Sequence, residues 1–98
     1  MVGDVEVLPL GDGASIRDEV KRAYEVLRDS GLKVKLHAMG TNVEGELEDV
    51  FSAVKSILEA LHAQGIRRLS TEIRLSSRID KPETLESNVE EVSEAAQR

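Results

Sequence analysis

The hydrophobic period of this chain switches repeatedly between two and about 3.6 residues, and the order of the switches leaves few architectures open. From Val2 to Leu8, Val5 and Val7 alternate with Asp4 and Glu6, the pattern of a half-buried strand. Gly11 and Gly13 interrupt it. Ser15, with Asp18 three residues on, reads as a capping box opening a helix whose stripe is Ile16, Val20, Ala23, Tyr24 and Leu27, and Gly31 ends that helix. Lys33 to Ala38 alternates again, and Met39-Gly40 reads as a tight turn into a third strand, Thr41 to Glu46. From Leu47 the spacing becomes helical through Val50, Phe51, Val54, Ile57, Leu58 and Leu61, stopping at Gly65. Arg68 to Ser76 alternates once more. Lys81-Pro82 then starts a third helix, with Leu85, Val89, Val92 and Ala96 at helical spacing and an acidic opposite face.

The order strand, helix, strand, strand, helix, strand, helix predicts an α+β fold: a ferredoxin-like two-layer sandwich, βαββαβ plus a C-terminal helix. Right-handed crossovers place strand one between strands three and four, with strand two outside strand three. Each strand has one apolar and one charged face, so the antiparallel sheet carries its two main helices on one face, and the other meets water or a second subunit. Across that open face Glu6 is expected near Arg74 and Glu44, and Lys35 near Glu44 or Glu46, as ordinary sheet pairs. With 98 residues the chain suffices for one domain, 1–98, and not for two. A homo-oligomer is expected, because a thin domain with a large polar face and two sheet edges leaves much surface to cover.

Composition narrows the partners. The chain has one Tyr, one Phe, no Trp and a formal charge of −6, so it lacks stacking platforms and repels phosphate backbones; nucleic acid is not expected. It has no Cys, which excludes disulfides and thiolate metal sites and fits a cytoplasmic setting. Asp4 and Glu6 interrupt the apolar run of the first ten residues, so neither a signal peptide nor a membrane span is expected there.

Strands one and two run parallel, so the segment Pro9 to Ser15 and the turn Met39-Gly40-Thr41 leave the sheet at the same edge, where Arg67 and Arg68 also arrive. This end is expected to form a pocket for a small polar or anionic molecule, from glycine backbone, a helix N-terminus, the hydroxyls of Ser15 and Thr41, and Glu44. The alternative is ordinary turn and capping chemistry. Pro9 to Gly13 lacks the Lys-Ser/Thr ending of a phosphate-binding loop. Catalysis has less support: His62 follows Glu59 at helical spacing with no second such pair to complete a metal site, and His37 on the polar sheet face reads as a surface or interface residue. No base pairs evidently with Ser15, and neither metal nor cofactor is expected.

The opening strand running into Pro9-Leu10-Gly11, the run Met39-Gly40-Thr41-Asn42-Val43-Glu44-Gly45, the apolar spacing of the second helix and the strand Arg68 to Leu75 resemble the small thiamine-binding-protein family, essentially end to end. That resemblance implies a ferredoxin-like binding protein for thiamine or its hydroxymethylpyrimidine portion, without catalysis, assembled as dimers or tetramers through the sheet. It also implies a ligand near an oligomer interface, faced by Leu10, Gly11, Met39, Gly40, Thr41 and Glu44. Asp12-Gly13-Ala14 departs from the small hydroxyl residues the family leads one to expect, which leaves Ser15 as the main hydroxyl there; Arg67 and Arg68 would take an anionic tail.

The functional expectation is therefore a non-enzymatic small-molecule binding protein in vitamin carriage or sensing. A regulatory module docking another protein on the open sheet face is the alternative.

Overall fold

The computed structural model describes residues 1–11 and 16–97, so Ser15, its capping box and the Asp12-Gly13-Ala14 departure lie outside the described residues. The elements are β1 (Val2–Leu10), α1 (Ile16–Asp29), β2 (Lys33–His37), β3 (Gly40–Glu44), α2 (Leu47–Ala63), β4 (Arg68–Ser76) and α3 (Leu85–Ala96). They form one sheet of order β2-β3-β1-β4, antiparallel at every junction. This is the ferredoxin-like arrangement that the periodicity predicts.

Alternation along β1 explains which residues face which layer. Val5 and Val7 join Ala23 and Leu27 of α1, Val43 of β3, and Val50, Val54, Ile57 and Leu61 of α2 in one core between the sheet and the two main helices. Leu27, Val43, Ile57 and Leu61 lose all contact with solvent, and each such side chain contributes about 1.5–3 kcal/mol of burial. Phe51 points outward from α2 and is half exposed, so the one Phe adds little to this core. α2 stops at Gly65, whose φ of 99° suits a residue without Cβ.

Several boundaries and pairings differ from the sequence expectation. Pro9 and Leu10 belong to β1, paired with Leu69 and Arg68, rather than to the loop. β3 begins at Gly40 and ends at Glu44. α3 starts at Leu85, not at Lys81-Pro82, because Thr84 caps it: Thr84 Oγ1 accepts from Ser87 N, and Ser87 Oγ accepts from Thr84 N, each at 3.0 Å. The register places Arg74 opposite Asp4 and Glu72 opposite Glu6, and Asn42, not a glutamate, opposite Lys35. Two residues of register thus separate Glu6 from Arg74 and Lys35 from Glu44, while Glu6 is four residues from Glu44, which stands opposite Val2, and Glu46 lies beyond the end of β3.

α3 occupies the second face of the sheet. Val2 lies on that face, is buried, and stands outside the helix-side core cluster. No residue of α3 is itself buried. The third helix therefore stands over one end of the otherwise open face rather than joining the two main helices.

Candidate functional site

The loop pole has the expected polarity but not the expected convergence. β1 and β2 both run antiparallel to β3, so Gly11 and the turn at residues 38–39 do leave the sheet in the same direction. However, Gly40 sits beside Glu6, while Leu10 lies four residues farther on, about 13 Å along the strand. Leu10, Gly11, Arg67 and Arg68 at the start of β4 thus form a tip of their own, with Leu10 paired to Arg68. Met39 is largely exposed in the β2–β3 turn. Thr41 is 1% exposed and paired with Val5 on the helix side, so its hydroxyl faces the interior. Gly40 permits close strand approach, since a Cβ there would stand 2.6 Å from the Val5 carbonyl oxygen. Glu44 lies at the other end of β3, opposite Val2, and its Oε1 accepts from the Leu85 backbone N–H at 2.8 Å.

What Glu44 helps to build is a cleft of about 810 Å3 between α3 and the open face. Its floor is a row of four side chains, one per strand: Lys35, Asn42, Asp4 and Arg74. Its roof includes Leu85 and Val89 of α3, and His37 stands at one side. The volume falls within the range of about 300–1,000 Å3 usual for small-molecule sites. Apolar roof and polar floor face one another, the combination that orients a flat ligand with polar edges.

Asp4 is the central group of the floor. His37 Nε2 lies 2.5 Å from Asp4 Oδ1, and His37 Nδ1 accepts from the Met39 backbone N–H at 3.2 Å. A nitrogen that accepts carries no proton, so the Nε2 of the neutral ring holds it and donates to Asp4. Asn42 commits an amide N–H to the Gly3 carbonyl at 3.3 Å, which fixes its side chain over β1. Farther along the same face, hydrogen bonding to Asp4 and the Asp4 charge hold the Glu6 carboxyl above its usual range, with Glu72 adding to the effect and His37 opposing it.

The roof is held by charge. Lys33 Nζ lies 2.7 Å from Glu86, Lys81 Nζ 3.0 Å from Glu91, and Arg78 reaches both Asp80 at 2.6 Å and Glu91 at 3.5 Å. Ser76 Oγ donates to Glu83 at 2.6 Å. The Arg78 hydrogen bond pulls Asp80 down to about 2; Ser76 and Asn88 lower Glu83, Lys33 lowers Glu86 and Lys81 lowers Glu91.

The remaining candidates are accounted for locally. His62 Nδ1 lies 2.7 Å from the Ile66 carbonyl oxygen, and Glu59 lies 3.9 Å from Lys55. Among the described residues no group of three or more His, Asp or Glu could hold a metal ion. Sequence reasoning missed Asp4, Asn42 and Arg74 as site residues. Their signal was present as the charged phase of three alternating strands, together with a third helix whose apolar residues had no place in the helix-side core.

Comparison with known proteins assigns the chain. The family model for thiamine-binding protein matches residues 3–93. A UPF0045 protein of Synechocystis is 41% identical over 92 residues, covering 94% of this chain and 76% of that protein. The crystal structure of a Methanocaldococcus jannaschii protein superposes with a TM-score of 0.86 at 34% identity, covering 95% of each chain. A Thermotoga maritima structure, provisionally named as a thiamine biosynthesis or salvage protein, superposes with a TM-score of 0.72 at 25% identity, covering 93% of this chain and 96% of its own. The chain belongs to the thiamine-binding protein family.

Proposed function

We propose that this protein binds thiamine or a hydroxymethylpyrimidine-related compound without transforming it, in vitamin carriage or sensing, and that the ligand occupies the cleft beneath α3. The observation that carries the reading is the pairing of an apolar roof, Leu85 and Val89, with a floor of Asp4, Asn42 and Arg74 in a cleft of about 810 Å3. An aminopyrimidine is flat, with N–H donors and ring-nitrogen acceptors on its edge, and a carboxylate, a carboxamide and a guanidinium complement such an edge. Thiamine is also cationic, which suits a chain of formal charge −6. A phosphorylated form would find Arg74 and Lys35 on the floor, whereas Arg67 and Arg68 lie at the far tip.

Binding rather than turnover is supported by the state of His37, both of whose ring nitrogens are engaged, one by Asp4 and one by Met39. Assembly through the sheet belongs to the same proposal: Leu8 and Leu10 share the open face with Asp4 and Glu6 and are exposed beyond the reach of α3. A cytoplasmic setting completes it, and no helix among the described residues is long and apolar enough to cross a membrane.

Titration calorimetry with thiamine and with hydroxymethylpyrimidine tests the reading. Saturable heat with one of them, lost in a Val89→Glu variant that places a charge on the roof, is the expected result. Absence of heat with both rejects it and favours docking of another protein on the open face.

A further inference from the structure

We propose that Asp4 is the specificity-determining residue of this cleft, selecting heteroaromatic amines over the corresponding oxo compounds, and that His37 is its positioning residue. The inference rests on the binding reading above and adds to it the chemical feature that is read and the residue that makes the reading sharp. Asp4 lies on an inner strand, between Asn42 on one side and Arg74 on the other, in the middle of the cleft floor. Its Oδ1 takes the proton-bearing Nε2 of His37 at 2.5 Å. A carboxylate has about four acceptor positions, so with His37 and the neighbouring Glu6 carboxyl drawing on two of them, acceptor capacity remains for a ligand.

An ionised carboxylate only accepts, so it rewards an exocyclic amine at that point and opposes a carbonyl oxygen, whose lone pairs would face its own. Selection of this kind requires a carboxylate that does not rotate away to water. His37 supplies the restraint, because its ring is itself fixed by the Met39 N–H to Nδ1 bond in the tight turn between β2 and β3. The chain of backbone N–H, imidazole and carboxylate therefore runs from the turn to the floor. Met39 takes part through its backbone while its side chain is largely exposed.

The test is calorimetric titration of the full chain with thiamine and with its 4-oxo analogue, in which a carbonyl replaces the exocyclic amine, on the unmodified protein and on Asp4→Asn, His37→Ala and His37→Gln. The unmodified protein is expected to prefer the amine by about tenfold or more. Asp4→Asn, which presents both a donor and an acceptor, should reduce that preference to within about twofold. His37→Ala should lower the preference, and His37→Gln, whose amide N–H can stand near the position of Nε2, should restore most of it. Thermal melts of each variant accompany the titrations. A purely structural role for His37 would weaken both ligands equally and leave their ratio unchanged, and that outcome overturns its positioning role. Equal binding of the two compounds by the unmodified protein, or an unchanged ratio in Asp4→Asn, overturns the selection by Asp4 while leaving the binding reading intact. Absence of heat with both compounds on the unmodified protein overturns the binding reading and this inference together.

Discussion

Glu44 Oε1 accepts the backbone N–H of Leu85 at 2.8 Å, so the last residue of β3 holds the first residue of α3. The bond satisfies one of the N–H groups that a helix start leaves open, and it places a negative charge at the positive end of the helix dipole. The roof of the cleft is thereby registered against the sheet.

Removal of that bond should loosen α3 without disturbing the sandwich. Glu44→Ala is expected to weaken the docking of α3 by about 1 kcal/mol, since the carboxylate is partly exposed and water compensates for part of the loss. Amide hydrogen exchange checks this: α3 amides should exchange several-fold faster, while those of α2 around Ile57 keep their protection.

Acid should detach the roof before it unfolds the core. Asp80, Glu83, Glu86 and Glu91 have folded values depressed below their ordinary ones, so the stability they supply is complete above the unfolded values, near 4.5 for the glutamates, and is lost as pH falls toward the folded values, about 2 for Asp80. A methyl NMR titration from pH 6 to pH 2 should show Leu85 and Val89 shifting while Ile57 and Leu61 hold. Added salt should promote the same release at a given pH.

Glu6 has the opposite sign. Its carboxyl is raised by Asp4, so its contribution is favourable below the unfolded value and is lost as pH climbs through the folded one. Glu6→Gln should therefore raise the melting temperature at pH 7 by about 2 °C and make little difference at pH 3. Melting curves of both proteins at the two pH values decide it.

Gly40 should resist substitution for a reason unrelated to any ligand. A Cβ would stand 2.6 Å from the Val5 carbonyl oxygen and 2.7 Å from Glu6 Cγ, forcing β3 away from β1. Gly40→Ala is expected to cost about 1–3 kcal/mol in urea denaturation.

Where the hydrophobic pattern decided a feature, the sequence was sufficient. β4 runs from Arg68 to Ser76 as its alternation indicates, and the strand order follows from the alternation of elements together with crossover handedness. The candidate site was less legible, because it depends on register and on one docking event. A shift of two residues leaves every side chain on its face, so alternation cannot distinguish Arg74 beside Glu6 from Arg74 opposite Asp4. It could not show either that β1 continues through Leu10, which places Gly11 well beyond Gly40 along the sheet. The position of α3 was illegible for a further reason: its hold on the sheet comes from individual pairs such as Lys33 with Glu86 and Glu44 with Leu85 N, and these have no periodic signature.

Because α3 contributes nothing to the interior shared by the sheet and the other two helices, the core and the roof of the cleft reside in separate sets of residues. Exchanges at Leu85 or Val89 can reshape the chamber while Leu27, Ile57 and Leu61 keep the scaffold intact. A lineage of such proteins, or a protein engineer, can therefore change the shape of the cleft through α3 alone, leaving the sandwich beneath it as it is.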